Sequence, residues 1–282
     1  MTWSNSTLVG VDLETTGCDV ETARIVTATV VTVKPGEEPE FRDWLADPGV
    51  DIPAEATAVH GITTGHAREH GQPAHQVVSD VNAALHMAWS DNLPVVAFNA
   101  LYDLTVVDRE LRRHYGLPLD VTGPVLDPYV IDRGVDRFRK GKRTLGVVCE
   151  HYGVKLTPDE AHTSHADALA AVELTQRLAK AHAEHVGALG LRELWTAQCR
   201  WHHSQSQGFA RYLRQEADGL EGAMARGDRS YVEQKLAALG VDDTSRESVD
   251  AVIADTRARA ELVAAEGAHW PITPLPEGWR AA

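Results

Sequence analysis

Basic charge is in short supply in this 282-residue chain: 27 Lys and Arg stand against 41 Asp and Glu, a formal net charge of −14. A surface so acidic excludes coating of nucleic acid or of an anionic membrane by bulk charge, because both partners are polyanions. Any nucleic-acid contact must then be local. Cysteine is also scarce. Cys18, Cys149 and Cys199 are odd in number and widely spaced, which argues against a disulfide framework and fits a reducing compartment. No apolar run approaches 18 residues, and no charged-then-apolar leader opens the chain. The expectation is a protein without a membrane role, in the cytoplasm. Internal repeats and low-complexity tracts are missing too. Apolar residues at 43% and charged residues at 24% give an ordinary globular composition, long enough to bury a real core.

The periodicities divide the chain in two. Residues 7–13 and 24–33 read as strands, the second alternating and β-branched. Residues 34–40 form a turn, 41–45 a further strand, and 47–56 a loop into a short helix with Pro53 at its first position. Residues 74–89 carry a helical stripe, 93–99 a buried strand and 103–115 another helix. Residues 123–133 read as a strand running into irregular chain. Thr144 is placed to cap a helix through Tyr152, and 165–182 form an Ala- and Leu-rich helix. The pattern predicts an α/β domain. Beyond it, 186–217, 230–239 and 244–266 read as helices, and the Pro-rich end as extended chain.

Three clusters carry chemistry. In Asp12-Leu13-Glu14, alternate residues at a strand end point to one side. Two carboxylates there repel unless something positive lies between them, and oxygen donors suit magnesium or manganese. An isolated D-x-E is usually a surface pair. Here it follows the apolar VGV and precedes Thr15-Thr16-Gly17, a compact turn whose amides can approach a ligand. Asp103, in Phe98-Asn99-Ala100-Leu101-Tyr102-Asp103, follows a buried strand and opens a helix, where an acid also serves as a plain cap. Asp167 sits early in the Ala-rich helix, with His162 and His165 ahead of it. A histidine there can accept a proton near neutral pH, or be merely polar surface.

Taken together these segments resemble the DEDDh 3′–5′ exonucleases. The first motif is matched by Asp12, Glu14, Thr15, Thr16 and Gly17. The second is matched by Asn99 and Asp103, the third by His162 and Asp167, and an H-G-I segment by His60, Gly61 and Ile62. The resemblance covers about 170 residues and departs at Phe98, where histidine is common, and at Tyr102, where phenylalanine is. It implies a ribonuclease H-like mixed sheet flanked by helices over residues 1–185, followed by a mainly helical extension, 186–282, outside the resemblance. It implies that Asp12, Glu14, Asp103 and Asp167 hold two Mg²⁺ or Mn²⁺ ions, and that His162, rather than His165, deprotonates the attacking water. Hydrolysis of DNA from a free 3′ end would release nucleoside 5′-monophosphates. An exoribonuclease or oligoribonuclease of the same fold is the near alternative, and a non-catalytic binding or assembly module the distant one. A polymerase or repair partner fits the family, whereas oligomeric state is not legible.

Thr15, Thr16, His60, Ile62, Asn99 and Tyr102 are candidates to surround the terminal nucleotide. Ile62 would wedge against a base, and the Tyr102 hydroxyl would lie near the substrate. His60 is equally a packing or capping residue. Residues 133–143 hold six cations in eleven positions: Arg133, Arg137, Arg139, Lys140, Lys142 and Arg143. Lys140, Lys142 and Arg143 are expected to meet substrate phosphates, which position a strand without reading its sequence. Trp195, Trp201, Phe209 and Tyr212 are expected to pack rather than to stack on bases. Cys199, His202 and His203 offer no second ligand pair and are not expected to bind zinc.

Overall fold

The computed structural model describes residues 2–157 and 163–276. These fall into two compact units, Met1–Gln198 together with Pro271–Ala282, and Cys199–Trp270.

The first unit is built on a six-stranded sheet. Strands β1 (Leu8–Thr15), β2 (Ile25–Val33) and β3 (Glu40–Asp47) form an antiparallel meander. Short strand β4 (Gln72–Pro73) adds in parallel to β3, and β5 (Val95–Val96) and β6 (Val125–Leu126) extend the other side in parallel, giving the order β4-β3-β2-β1-β5-β6. Helices α1 (Ala54–His60), α2 (Thr64–His70), α3 (Ala74–Ser90), α4 (Ala100–Tyr115), α5 (Pro128–Val135), α6 (Leu145–Tyr152) and α7 (Ser164–Ala181) flank it. This is the mixed, ribonuclease H-like architecture expected from the sequence.

One residue sets the spacing at its centre. A methyl on Gly10 would sit 2.6 Å from the Ala168 carbonyl oxygen, 2.8 Å from Val172 and 2.8 Å from Val31. Helix α7 therefore lies against bare backbone of β1. Side chains alternate along a strand, so Asp12 and Glu14 share the α7-facing side with Gly10. Thr29 and Thr27 stand opposite them on β2. The register slips between Glu14 and Thr15. A bulge at that point turns the chain out of the sheet just beyond the two acids.

Several elements differ from the sequence expectation. Residues 123–133 give only a two-residue strand and then a helix. Asp127 caps α5 by accepting from Tyr129 and Val130 N–H, and Pro128 opens it. Helix α4 begins at Ala100, so Asp103 is its fourth residue rather than its opener. Thr144 holds the N-cap position of α6 but makes no capping hydrogen bond with its side chain. After a single π-turn, Ala183–Gly187, helix α8 runs over Leu191–Arg226, longer than its apolar stripe indicated.

The second unit holds the latter part of α8 with α9 (Arg229–Ala238) and α10 (Arg246–Glu266). Ala217, Leu220, Ala223, Val232, Leu236, Val249 and Ile253 form its main cluster. Phe209 and Tyr212, expected to pack, are exposed, their rings stacked with Arg259 over Phe209. Beyond this unit, Thr273 donates from N–H to the Thr105 hydroxyl, and buried Arg109 donates to the carbonyls of Thr273 and Pro274. No helix among the described residues is long and apolar enough to cross a membrane.

Candidate metal centre and its cleft

Asp12, Glu14 and Asp167 each bring a carboxylate oxygen to within 4.8 Å of the others. Strand β1 supplies the first two and the opening turn of α7 the third. Thr163 caps α7 by accepting from Ala166 N–H, and the Ser164 hydroxyl bonds to Thr29 at 2.9 Å and Thr27 at 3.2 Å. Those bonds fix the start of α7 to the strand beside β1, which holds Asp167 over Asp12. Asp103 is buried next to them, and one of its oxygens accepts from Leu13 N–H at 3.2 Å. Asp103 and Asp167 are each the fourth residue of a helix, where the N-terminal partial positive charge favours an anion.

That helix field does not neutralise the site. The Asp12 carboxyl is held well above the usual carboxylate range by burial first, then by the charges of Asp103, Asp167 and Glu14. Burial and Asp167 push Glu14 up from 4.5 to about 7. Asp103 is also raised, by burial and by the charges of Asp127 and Glu14, against the opposing pull of its backbone hydrogen bonds. Every group acting on Asp12 acts in one direction. A converging, all-oxygen set that resists ionisation is what hard divalent cations bind, since they replace protons with charge. The residues present therefore fit such an ion.

The pH dependence has a definite sign. Folded Glu14 holds its proton to about 7 instead of 4.5, so the folded state binds more protons than the unfolded state in that window. Stability in EDTA should therefore fall as pH rises from about 4.5 to 7, and Asp12 and Asp103 carry the trend in the same direction. With partial exposure of Glu14 discounted, its share is about 2 kcal/mol, or roughly 5 °C in Tm. Mg²⁺ or Mn²⁺ should cancel the fall above pH 7. Thermal melts at pH 5 and 8, with and without metal, test this; equal Tm values in EDTA would count against the crowded acids.

A cleft of about 510 Å³ opens beside Glu14. Thr27, Thr29, Trp44, His60 and Ile62 are among the residues that line it. His60 Nδ1 accepts from Ile62 N–H at 3.1 Å, which leaves the ring proton on Nε2, buried toward Thr15. The ring thereby fixes the backbone at Ile62, which packs on Val26, Ile52 and Ala67. His165 also lines the cleft, with Nδ1 against Asp43 at 3.2 Å and its ring stacked on Phe41. His162 lies outside the described residues.

Other expected site residues are already partnered. The Tyr102 hydroxyl donates to the Gly17 carbonyl and meets the Thr15 hydroxyl, both at 2.5 Å, and burial raises its pKa. The Thr16 hydroxyl accepts from Arg24 N–H. Tyr102, Thr15 and Thr16 thus shape the turn after the acids. Asn99 is exposed and left-handed (φ 66°), and its N–H donates to Asp127. Lys140 and Lys142 are exposed, whereas Arg143 is bonded to Asp132 and to the carbonyls of Asp136 and Arg139.

Asp127 escaped the sequence reading. Fully buried, it accepts from the N–H groups of Asn99, Ala100, Tyr129 and Val130, and its own N–H donates to Gln198. One carboxylate thus starts both α4 and α5, and burial still raises it to about 6. The Asp127-Pro128 pair is a helix-start signal that could have shown it.

The sequence model described as exonuclease, of the RNase T type, matches residues 9–175. The chain belongs to the exonuclease family. Within that family it is 30% identical over 175 residues to a DNA polymerase III subunit epsilon-like protein of Rhodobacter capsulatus, covering 61% of this chain and 23% of that protein. A PolC-type DNA polymerase III of Clostridium perfringens is 28% identical over 163 residues, covering 58% of this chain and 10% of that one. The chain therefore spans less than a quarter of the length of these relatives. Among solved structures, E. coli Exonuclease I in complex with a dT13 oligonucleotide superposes with a TM-score of 0.51 at 17% identity, over 62% of this chain and 41% of that one. Exonuclease I from Methylocaldum szegediense gives 0.50 at 18%, over 64% and 41%. At these identities the likeness concerns the exonuclease fold.

Proposed function

We propose that the chain is a metal-dependent 3′–5′ exonuclease that removes nucleoside 5′-monophosphates from the 3′ end of DNA. The observation that carries this is the convergence of Asp12, Glu14 and Asp167 within 4.8 Å, beside buried Asp103, with Glu14 lining a cleft. The four acids would hold two Mg²⁺ or Mn²⁺ ions, which when bound lower the pKa of a water and stabilise charge on the reacting phosphate. Asp103 and Asp167, fixed at two helix starts, keep the donor set rigid. His162 takes the proton from the attacking water. Thr15 and Thr16 frame the terminal sugar and phosphate, with Tyr102 behind Thr15, and Asn99, exposed at the start of α4, reaches the same nucleotide. Ile62, held by His60, supports the terminal base. Lys140 and Lys142 meet phosphates of the strand, with Arg143 bracing the loop that carries them. The nuclease domain is assigned to 1–185 and the helical extension to 186–282.

DNA is favoured by the relatives, which are named as DNA polymerases, and by the dT13 complex of the E. coli neighbour. The same relatives support a polymerase assembly as the setting, with a repair assembly as the alternative. The test is hydrolysis of 5′-labelled dT20, rU20 and a 3′-mismatched duplex, with Mg²⁺, Mn²⁺ or EDTA. The expected result is a descending ladder on DNA with mononucleotide product, abolished by EDTA. Shortening of rU20 alone would make the protein an exoribonuclease. Intact substrates under both metals would leave a binding module.

A further inference from the structure

We infer that Phe138 is a base-stacking platform for single-stranded nucleic acid upstream of the cleaved end; this rests on the exonuclease reading above. Phe138 is 87% exposed. Single exposed apolar residues are common on protein surfaces, so the argument rests on what holds and surrounds this one.

The loop 136–144 is rigidly built. Asp132, fully buried on α5, takes both Nη2 bonds of Arg139 at 2.7 and 2.6 Å and one from Arg143 at 2.5 Å. Arg139 also bonds Asp136, and Arg143 ties down two carbonyls within the loop. Two of the loop's cations are thereby consumed in shaping it. Arg137, Lys140 and Lys142 remain exposed beside Phe138. The Arg137 guanidinium lies 5.4 Å from the Phe138 ring centre, which orients the ring without burying it.

A rigid, solvent-facing ring among three solvent-facing cations, on a chain of net charge −14, matches one ligand chemistry: a π-face beside repeated phosphates. Proteins that track single strands combine a cationic path with aromatic stacking, and every base offers a π-face. Position agrees. The loop leaves α5, whose cap Asp127 holds the backbone that starts α4 and Asp103. It enters α6, which packs on α7, the helix that carries Asp167.

The test reads strand length and single bases. For the wild type, Kd measured by anisotropy with Ca²⁺ in place of Mg²⁺ should tighten about ten-fold between dT3 and dT12. An abasic site at one or two upstream positions of dT12 should remove most of that gain. In Phe138→Ala the gain and the abasic dependence should both vanish, and in Phe138→Trp both should return. A wild type that degrades DNA but shows no abasic dependence, or an F138A protein that keeps it, overturns the platform and leaves the exonuclease standing. A wild type that neither binds nor degrades DNA overturns both.

Discussion

Replacing Asp12 with Asn should abolish hydrolysis and, in EDTA at pH 8, raise Tm. The two outcomes have one cause. Asp12 is the acid on which burial, Asp103, Asp167 and Glu14 all press in the same direction. An amide keeps the shape and removes the charge. Cation binding would lose one of its converging donors, and the stabilisation lost in the transition state would be several kcal/mol, a rate loss on the order of a thousand-fold or more. Without metal, the same change relieves repulsion among the remaining acids. Turnover with saturating Mg²⁺ and a melt in EDTA measure both. Activity within ten-fold of wild type would remove Asp12 from the metal site. A lower Tm would mean that the carboxylate is needed by the fold rather than endured by it.

The second large effect is expected at a residue with no functional group. Gly10→Val places a branched side chain where one methyl already meets the Ala168 carbonyl at 2.6 Å. A backbone oxygen cannot rotate away, so α7 must move off β1. Overpacking of this kind costs about 3 kcal/mol or more. Movement of α7 carries Asp167 away from Asp12 and Glu14, so affinity for Mn²⁺ should fall along with stability. Gly10→Ala should show both effects more weakly. Denaturant titration and Mn²⁺ binding test the pair. A G10A protein with wild-type stability and metal affinity would show that the strand–helix spacing does not set the site.

Local pattern reveals the first strands and most of the helices, because each rests on residues close in sequence, whereas the set of four acids comes from the family resemblance. Asp12 and Glu14 were placed on one face by strand alternation alone. What escaped detection depends on distant partners. The stretch around Asp127 has the apolar residues of a strand, yet its carboxylate is used to start two helices, one of them 27 residues earlier. Arg143 looks like its neighbours Lys140 and Lys142, and only the burial of Asp132 separates a brace from two free cations. Tyr102 is expected near substrate because it stands where the resembled family commonly has phenylalanine. Its partners, Thr15 and Gly17, lie in a different motif. Asp103 is read from the sequence as the helix opener, yet it lies about one turn inside α4, since the left-handed Asn99 lets the helix start at Ala100.

The separation of Asp12 from Asp167 also bears on how the molecule is made. Asp167 belongs to α7, and it meets Asp12 and Glu14 of β1 only when a late segment docks on an early one across bare backbone at Gly10. Until that event the Asp167 share of the repulsion is missing, and Asp12 meets only Glu14 of its own strand and Asp103 of α4. Docking of α7 adds the Asp167 charge, and a divalent cation would bind the full donor set only afterwards. Metal should then slow unfolding while leaving the rate of folding nearly unchanged, which makes the cation a kinetic latch on the finished domain.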